Sequence, residues 1–404
     1  MVSHMSSQAG LRATQLPGFA EESARVEMDI SALEKLLHAH PRDLEQRLRL
    51  AYRLFHRASL TGRIEHFAAV EVAVREILDD FGPKEDLCLL KANLDLRFHR
   101  LAQSRVDLEM CALLPGRFEA RVLLADLDFQ EGRYETARLG LERLIAEDRT
   151  WDNLARLAHW KSKLGDAAEA DALYAQAEDE LTAKQMRGYS WLELQRGVLA
   201  FTHGDYRRAW KHYGRAEEAY PGHWHTDEHV AELMAAEGRF EEAAALLRDL
   251  IARVPKPELR QALGEIYLLA GRAEEAEAFF DSALKIYLQS AHRDEVHYFH
   301  HLVDFYTDVR PDGAEAVRWA RKDVELRSNF STQAAMARAL FQNQQLSEAM
   351  EYIRQTLASG VRDAGTFSFA STLFEATGDI SGSERFAAAA LQTNPKHRNF
   401  HMHH

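Results

Sequence analysis

EGRYETARLGLERLI (131–145), LGDAAEADALYAQAE (164–178), HGDYRRAWKHYGRAE (203–217), EGRFEEAAALLRDLI (237–251), AGRAEEAEAFFDSAL (270–284) and TGDISGSERFAAAAL (377–391) superimpose without a gap. The Gly near the start of each (132, 165, 204, 238, 271, 378) suits the residue just past a helix end, where a positive φ costs little without a Cβ. Five residues on stands Ala137, Ala170, Ala209, Ala243, Ala276 or Ser383, and seven residues before each Gly stands Ala125, Ala158, Gly197, Ala231, Gly264 or Ser371. Small residues on both sides of a turn let two antiparallel helices cross closely. Larger residues then recur at helical spacing, as in Leu141/Leu144 and Leu247/Leu250, giving a face that packs on the next pair.

Working outward, the small residue recurs at 137, 170, 209, 243, 276, 316, 349 and 383, in steps of 33, 39, 34, 33, 40, 33 and 34. The two long steps place extra residues around 179–189 and 284–296, where helices are lengthened or the connection loops out. Arg310-Pro311-Asp312-Gly313 is a degenerate form of the same turn. Upstream, 28–37, 44–59, 66–81 and 86–101 are helical in pattern but carry few of these residues, as expected of terminal repeats, whose outer face meets water.

This 34-residue unit, with a Gly before the turn, small residues at the crossing and Pro221, Pro255 or Pro395 at the close, resembles the tetratricopeptide repeat. The resemblance implies an all-α, right-handed superhelical solenoid of antiparallel helix pairs. Its expected organisation is a disordered or tag-derived stretch at 1–27, divergent helical repeats at 28–117, the regular array at 118–396 and a His-rich tail at 397–404. No block remains for a separate catalytic domain.

The resemblance also implies that the first helix of each pair lines a concave surface that binds a protein or peptide. Carried onto this chain, that face includes Glu119, Val122, Asp126 and Phe129, then Asp152, Ala155, His159 and Ser162. Next come the apolar Trp191, Leu194, Val198 and Phe201, followed by Glu228, Glu232, Glu258, Glu265 and His301. Acidic residues outnumber basic ones there, so the expected partner is a basic or amphipathic segment. No paired Lys, Arg and Asn cluster of the kind that grips a C-terminal carboxylate is projected onto this face.

A net charge of −13 argues against nucleic acid, whose binding rests on clustered Lys and Arg. No run approaches the roughly 20 apolar residues of a membrane span, and no signal-peptide pattern opens the chain, which reads as cytoplasmic. Cys88 and Cys111 are too few and too far apart for a disulfide framework and read as small buried hydrophobes. Twenty histidines suggest a second reading, a metal-binding accessory protein or metal-dependent enzyme. His225/His229 and His297/His301 each sit at i and i+4, where two imidazoles share a helix face and suit zinc or another divalent metal. No phosphate loop, dinucleotide fingerprint, H-E-x-x-H or nucleophile elbow occurs, so the chain is not expected to be an enzyme and no cofactor is required. Repeat arrays also self-associate, which makes a homo-oligomer a further expectation.

Overall fold

The computed structural model describes residues 18–112, 118–293 and 295–402, and among them the regular structure is entirely helical. The first helices are α1 (Phe19–Ala39), α2 (Leu44–Thr61), α3 (Ile64–Phe81), α4 (Glu85–Arg97), α5 (Leu101–Ala112), α6 (Phe118–Gln130) and α7 (Tyr134–Glu147). The middle of the chain forms α8 (Trp151–Leu164), α9 (Ala167–Asp179), α10 (Met186–Thr202), α11 (Tyr206–Ala219), α12 (Trp224–Ala236), α13 (Phe240–Arg253) and α14 (Pro257–Leu269). Then follow α15 (Ala273–Ala291), α16 (Phe299–Asp304), α17 (Gly313–Leu326), α18 (Phe330–Gln342), α19 (Leu346–Ala358), α20 (Ala364–Ala376) and α21 (Ile380–Thr393). From α2 onward, each even-numbered helix and its successor form an antiparallel hairpin, and the hairpins stack into a superhelical solenoid.

The small residues at the crossings are fully covered: Ala137, Ala170, Ala209, Ala243 and Ala316 have no exposed surface. At Gly197 the approach is closest, since a Cβ there would stand 2.2 Å from the Tyr213 ring. Helix starts are fixed locally, with Asp166, Asp205, Asp312, Asp363 and Asp379 accepting hydrogen bonds from backbone N–H groups of the first turn. Of the six turn glycines, five have positive φ; Gly165, at −126°, does not. The two insertions lengthen helices: α10 has 17 residues and α15 has 19. A π-helical turn over Phe305–Val309 closes α16 ahead of the degenerate Arg310-Pro311 turn.

Successive even-numbered helices also touch one another, as in α4 with α6, α6 with α8, α10 with α12 and α16 with α18. They therefore form the inner wall of the curve. The curve is tight enough for the second turn of the superhelix to meet the first. Asn329 Nδ2 donates to the Gln130 carbonyl at 2.9 Å, and the Phe330 N–H donates to the Tyr134 hydroxyl at 2.7 Å. The Arg362 N–H donates to the Lys163 carbonyl at 2.9 Å, and Trp224 Nε1 donates to the Leu60 carbonyl at 2.8 Å. Phe98 and His99 face His297 and His300, with ring centroids 6.1 and 5.4 Å apart. These contacts join residues 164 (Leu60 and Trp224) to 201 (His99 and His300) positions apart.

Two sequence expectations are corrected here. Residues 19–27, assigned to a disordered or tag-derived stretch, lie in α1, because Phe19, Val26 and Ile30 form a buried stripe and the Phe19 N–H donates to the Pro221 carbonyl at 3.0 Å. Residues 1–17 lie outside the described residues. Cys88 and Cys111 are joined in a disulfide across the α4–α5 hairpin, with Cα atoms 6.0 Å apart. Antiparallel pairing brings together two cysteines that spacing alone kept apart. No helix among the described residues is long and apolar enough to cross a membrane.

Candidate functional site

The acidic residues projected onto the concave face are on the inner wall but already engaged by the chain itself. Glu258 lies 3.2 Å from Lys256 Nζ, and Glu265 accepts from Gln261 Nε2 at 2.9 Å. Burial pushes the Glu258 carboxyl up, but Lys256 and His301 outweigh it, and the net shift is downward. Glu228 is buried within reach of the Lys256 charge. Glu232 is buried, lies 3.0 Å from His229 Nδ1, and accepts from the Met402 N–H at 2.9 Å.

That last contact belongs to a seated segment. Residues 394–402, with Lys396, His397, Arg398 and His401 among them, run back over α10, α11 and α12. His401 covers Phe201 at 4.6 Å between ring centroids, Lys396 Nζ stands 3.8 Å from the Tyr206 ring centre, and Asn399 Nδ2 donates to the Ala236 carbonyl at 3.0 Å. Met402 is buried, and Phe400 packs against the core. The chain thus places a basic, apolar-tipped stretch on its own acidic wall. Residues 403–404 of the predicted His-rich tail lie outside the described residues.

The apolar patch is split. Leu194 and Phe201 are buried, with Val198 packed beside them, in a cluster that includes Ala209 and Tyr213. They cannot form an exposed patch, because the longer α10 turns that face into α11 and α12. Trp191 points the other way, edge-on to Trp151 at 6.3 Å, into a cavity.

This cavity, about 990 Å³, lies inside the first superhelical turn between α4, α6, α8 and α10, with Arg327 of the next turn on its rim. The projected Asp126, Phe129, Asp152, Ala155 and His159 line it together with Trp191. Arg156 joins two of the carboxylates, with Nε 2.9 Å from Asp126 Oδ2 and Nη1 2.8 Å from Asp152 Oδ2. Burial holds His159 down at about 4, so its ring is neutral near pH 7. Arg97 and His99 also line the cavity. Sequence reasoning missed both, because 86–101 lacks the crossing residues that fix the repeat register. A basic residue ending a helix one unit before the regular array was the available signal.

The histidine pairs are placed as follows. His225 and His229 have ring centroids 5.0 Å apart on α12. His301 stacks on Tyr287 at 5.3 Å, nearly parallel, while His297 is buried with Nε2 3.3 Å from Ser290 Oγ. Among the described residues, no group of three or more His, Cys, Asp or Glu side chains is arranged to hold a metal ion. The local reason is that these imidazoles meet aromatic rings and single carboxylates, so no three donors converge on one point.

Geometry of this kind defines a class: a superhelical solenoid of helix hairpins with a polar inner wall. Residues 194–256 and 231–291 match the tetratricopeptide repeat family model, and the stretch they span is tetratricopeptide repeat in sequence as in fold. Among solved structures the chain is similar to a tetratricopeptide repeat protein from Parabacteroides merdae, at 13% identity and a TM-score of 0.41 over 63% of this chain and 98% of that one. It is also similar to yeast Tom70, at 14% identity and a TM-score of 0.43 over 93% of this chain and 88% of that one. A third similarity is to the APC/C hetero-tetramer Cut9–Hcn1, at 11% identity and a TM-score of 0.42 over 93% and 92%. No curated protein sequence matches the chain.

Proposed function

We propose that this protein is an interaction scaffold whose inner wall holds a segment of a partner polypeptide, with a basic and apolar segment favoured on the wall of α10–α12. One observation carries the reading. Residues 394–402 already occupy that wall, with a backbone N–H on buried Glu232, a ring on Phe201 and Met402 in the core. A wall that satisfies the backbone of its own tail has the donors, acceptors and apolar sockets that a partner segment needs. Fold supports the same role, since tetratricopeptide arrays offer an extended concave surface.

The test is a chain ending at Asn394 and a fluorescent peptide of residues 394–402. The peptide is expected to bind the shortened chain and to bind the full chain at least about tenfold more weakly, because the tethered tail competes at high effective concentration. Glu232→Gln in the shortened chain should weaken it further. A shortened chain that keeps its helical circular dichroism yet takes up no peptide overturns the reading. As to compartment, the Cys88–Cys111 bond supports an oxidising one, against the cytoplasmic expectation.

A further inference from the structure

The cavity of the first superhelical turn has a charge balance opposite to that of the tail-bearing wall. Four guanidinium groups reach its lining, from Arg97, Arg156, Arg187 and Arg327, against the carboxylates of Asp126 and Asp152. Three of the four are already partnered. Arg156 holds both aspartates, Arg187 Nη1 lies 3.4 Å from Glu22 Oε1, and Arg327 grips Asp323 with two contacts of 2.9 Å. Arg97, at the last residue of α4, makes no hydrogen bond or ion pair among the described residues, and its side chain is exposed within the cavity. Protein surrounds it closely enough that burial, with Asp126 opposing, holds it below the usual arginine range. A guanidinium in such a place gains from any anion that reaches it, and its planar fork matches a two-oxygen acceptor.

The rest of the lining is aromatic and aliphatic. Trp151 and Trp191 meet edge to face, Phe129 stands 5.4 Å from the neutral His159 ring, and Leu96 and Leu123 complete the apolar side. A volume of about 990 Å³ with a few convergent polar groups falls within the range of small-molecule sites, roughly 300–1,000 Å³. We infer that this cavity is a binding site for a small molecule with one anionic group, carboxylate or sulfonate, on a flat aromatic body, with Arg97 taking the anion and Trp151 and Trp191 the rings. The site is separate from the wall occupied by residues 394–402 and does not depend on the peptide reading.

Two fluorescent probes on the full chain test it: 8-anilino-1-naphthalenesulfonate, and N-phenyl-1-naphthylamine, which keeps the aromatic body without the sulfonate. The charged probe is expected to bind once per chain, about tenfold more tightly than the neutral one, since a hydrogen-bonded charge contributes on that scale. Excitation of tryptophan should light it by energy transfer. Arg97→Met, which breaks no protein hydrogen bond, should bring the two probes to equal affinity without moving the melting temperature, and Trp191→Ala should weaken both. Equal affinities of the two probes for the unaltered chain, or a charged probe indifferent to Arg97→Met, overturn the inference. The comparison on the unaltered chain needs no variant to fold.

Discussion

The two turns of the superhelix use the same hairpin for different ends. In the first, the inner wall encloses a cavity with surplus positive charge, and the outward loops between paired helices are pressed against the second turn. In the second, the inner wall is acidic and filled by the chain's own side chains and tail. Its corresponding loops stand clear: a Cβ at Gly132 would lie 2.5 Å from the Ser328 carbonyl oxygen, whereas one at Gly238, with nearly the same φ, would meet nothing within 4 Å. Identical local punctuation therefore serves as a turn in one place and as a contact surface in the other.

That contrast is open to direct attack. Gly238→Ala should cost only the left-handed backbone penalty, about 1 kcal/mol. Gly132→Ala adds a clash with backbone of the neighbouring turn and should cost roughly 3 kcal/mol or more. Equal losses in urea unfolding would mean that the turns do not bear on each other there. Next in size, Cys88→Ser opens a covalent link between residues 23 apart and should remove about 3 kcal/mol from the α4–α5 hairpin. Hydrogen exchange should rise there and stay unchanged in α12–α15; a uniform rise would show that the hairpin sets the stability of the whole.

The seam of His99, His297 and His300 gives a third, pH-dependent difference. Burial holds His297 down at about 4 from an ordinary 6.5, and His99 and His300 are also well below it, so folding favours the neutral rings. The stability they contribute is complete above 6.5 and is lost as pH falls from there through about 4, because the unfolded chain takes up protons first. At pH 5 the loss from His297 alone is on the order of 1–2 kcal/mol. A melting temperature that does not drop between pH 7 and pH 5, or a drop of undiminished size in His99→Phe/His297→Phe/His300→Phe, would remove the seam from the explanation. Smallest is Glu22→Gln. Hydrogen bonding from His56, against burial and with Tyr220 and Arg187 assisting, holds Glu22 at about 2, below an ordinary 4.5. Its benefit is present above 4.5 and fades as pH falls through 2. At the partly exposed Glu22 the change should cost about 1 kcal/mol and show mainly as faster exchange in α1.

The hairpins were legible in the sequence because every signal for them is local: a Gly past a helix end, Ala137 or Gly197 at a crossing, a Pro at the close. The wall-forming role of Asp126, His159 and Trp191 could be projected for the same reason, once the register was known. What failed was nonlocal. Leu194 and Phe201 looked exposed because nothing near them in sequence announces α12 or His401. The acidic wall looked open because Lys256 reaches Glu228 from beyond α13 and the tail reaches Glu232 from the far end of the array. Arg97 went unseen in a unit without register, and the Cys88–Cys111 pairing needed the α4–α5 hairpin first.

Solenoids ordinarily behave as strings, each link sensing only its neighbours, with stability rising link by link. Here, bonds between residues nearly two hundred positions apart sew coil to coil, as in the Arg362 N–H on the Lys163 carbonyl. Such stitching raises contact order and slows folding. Removing a single internal hairpin would shift every later loop out of step with its partner on the coil below.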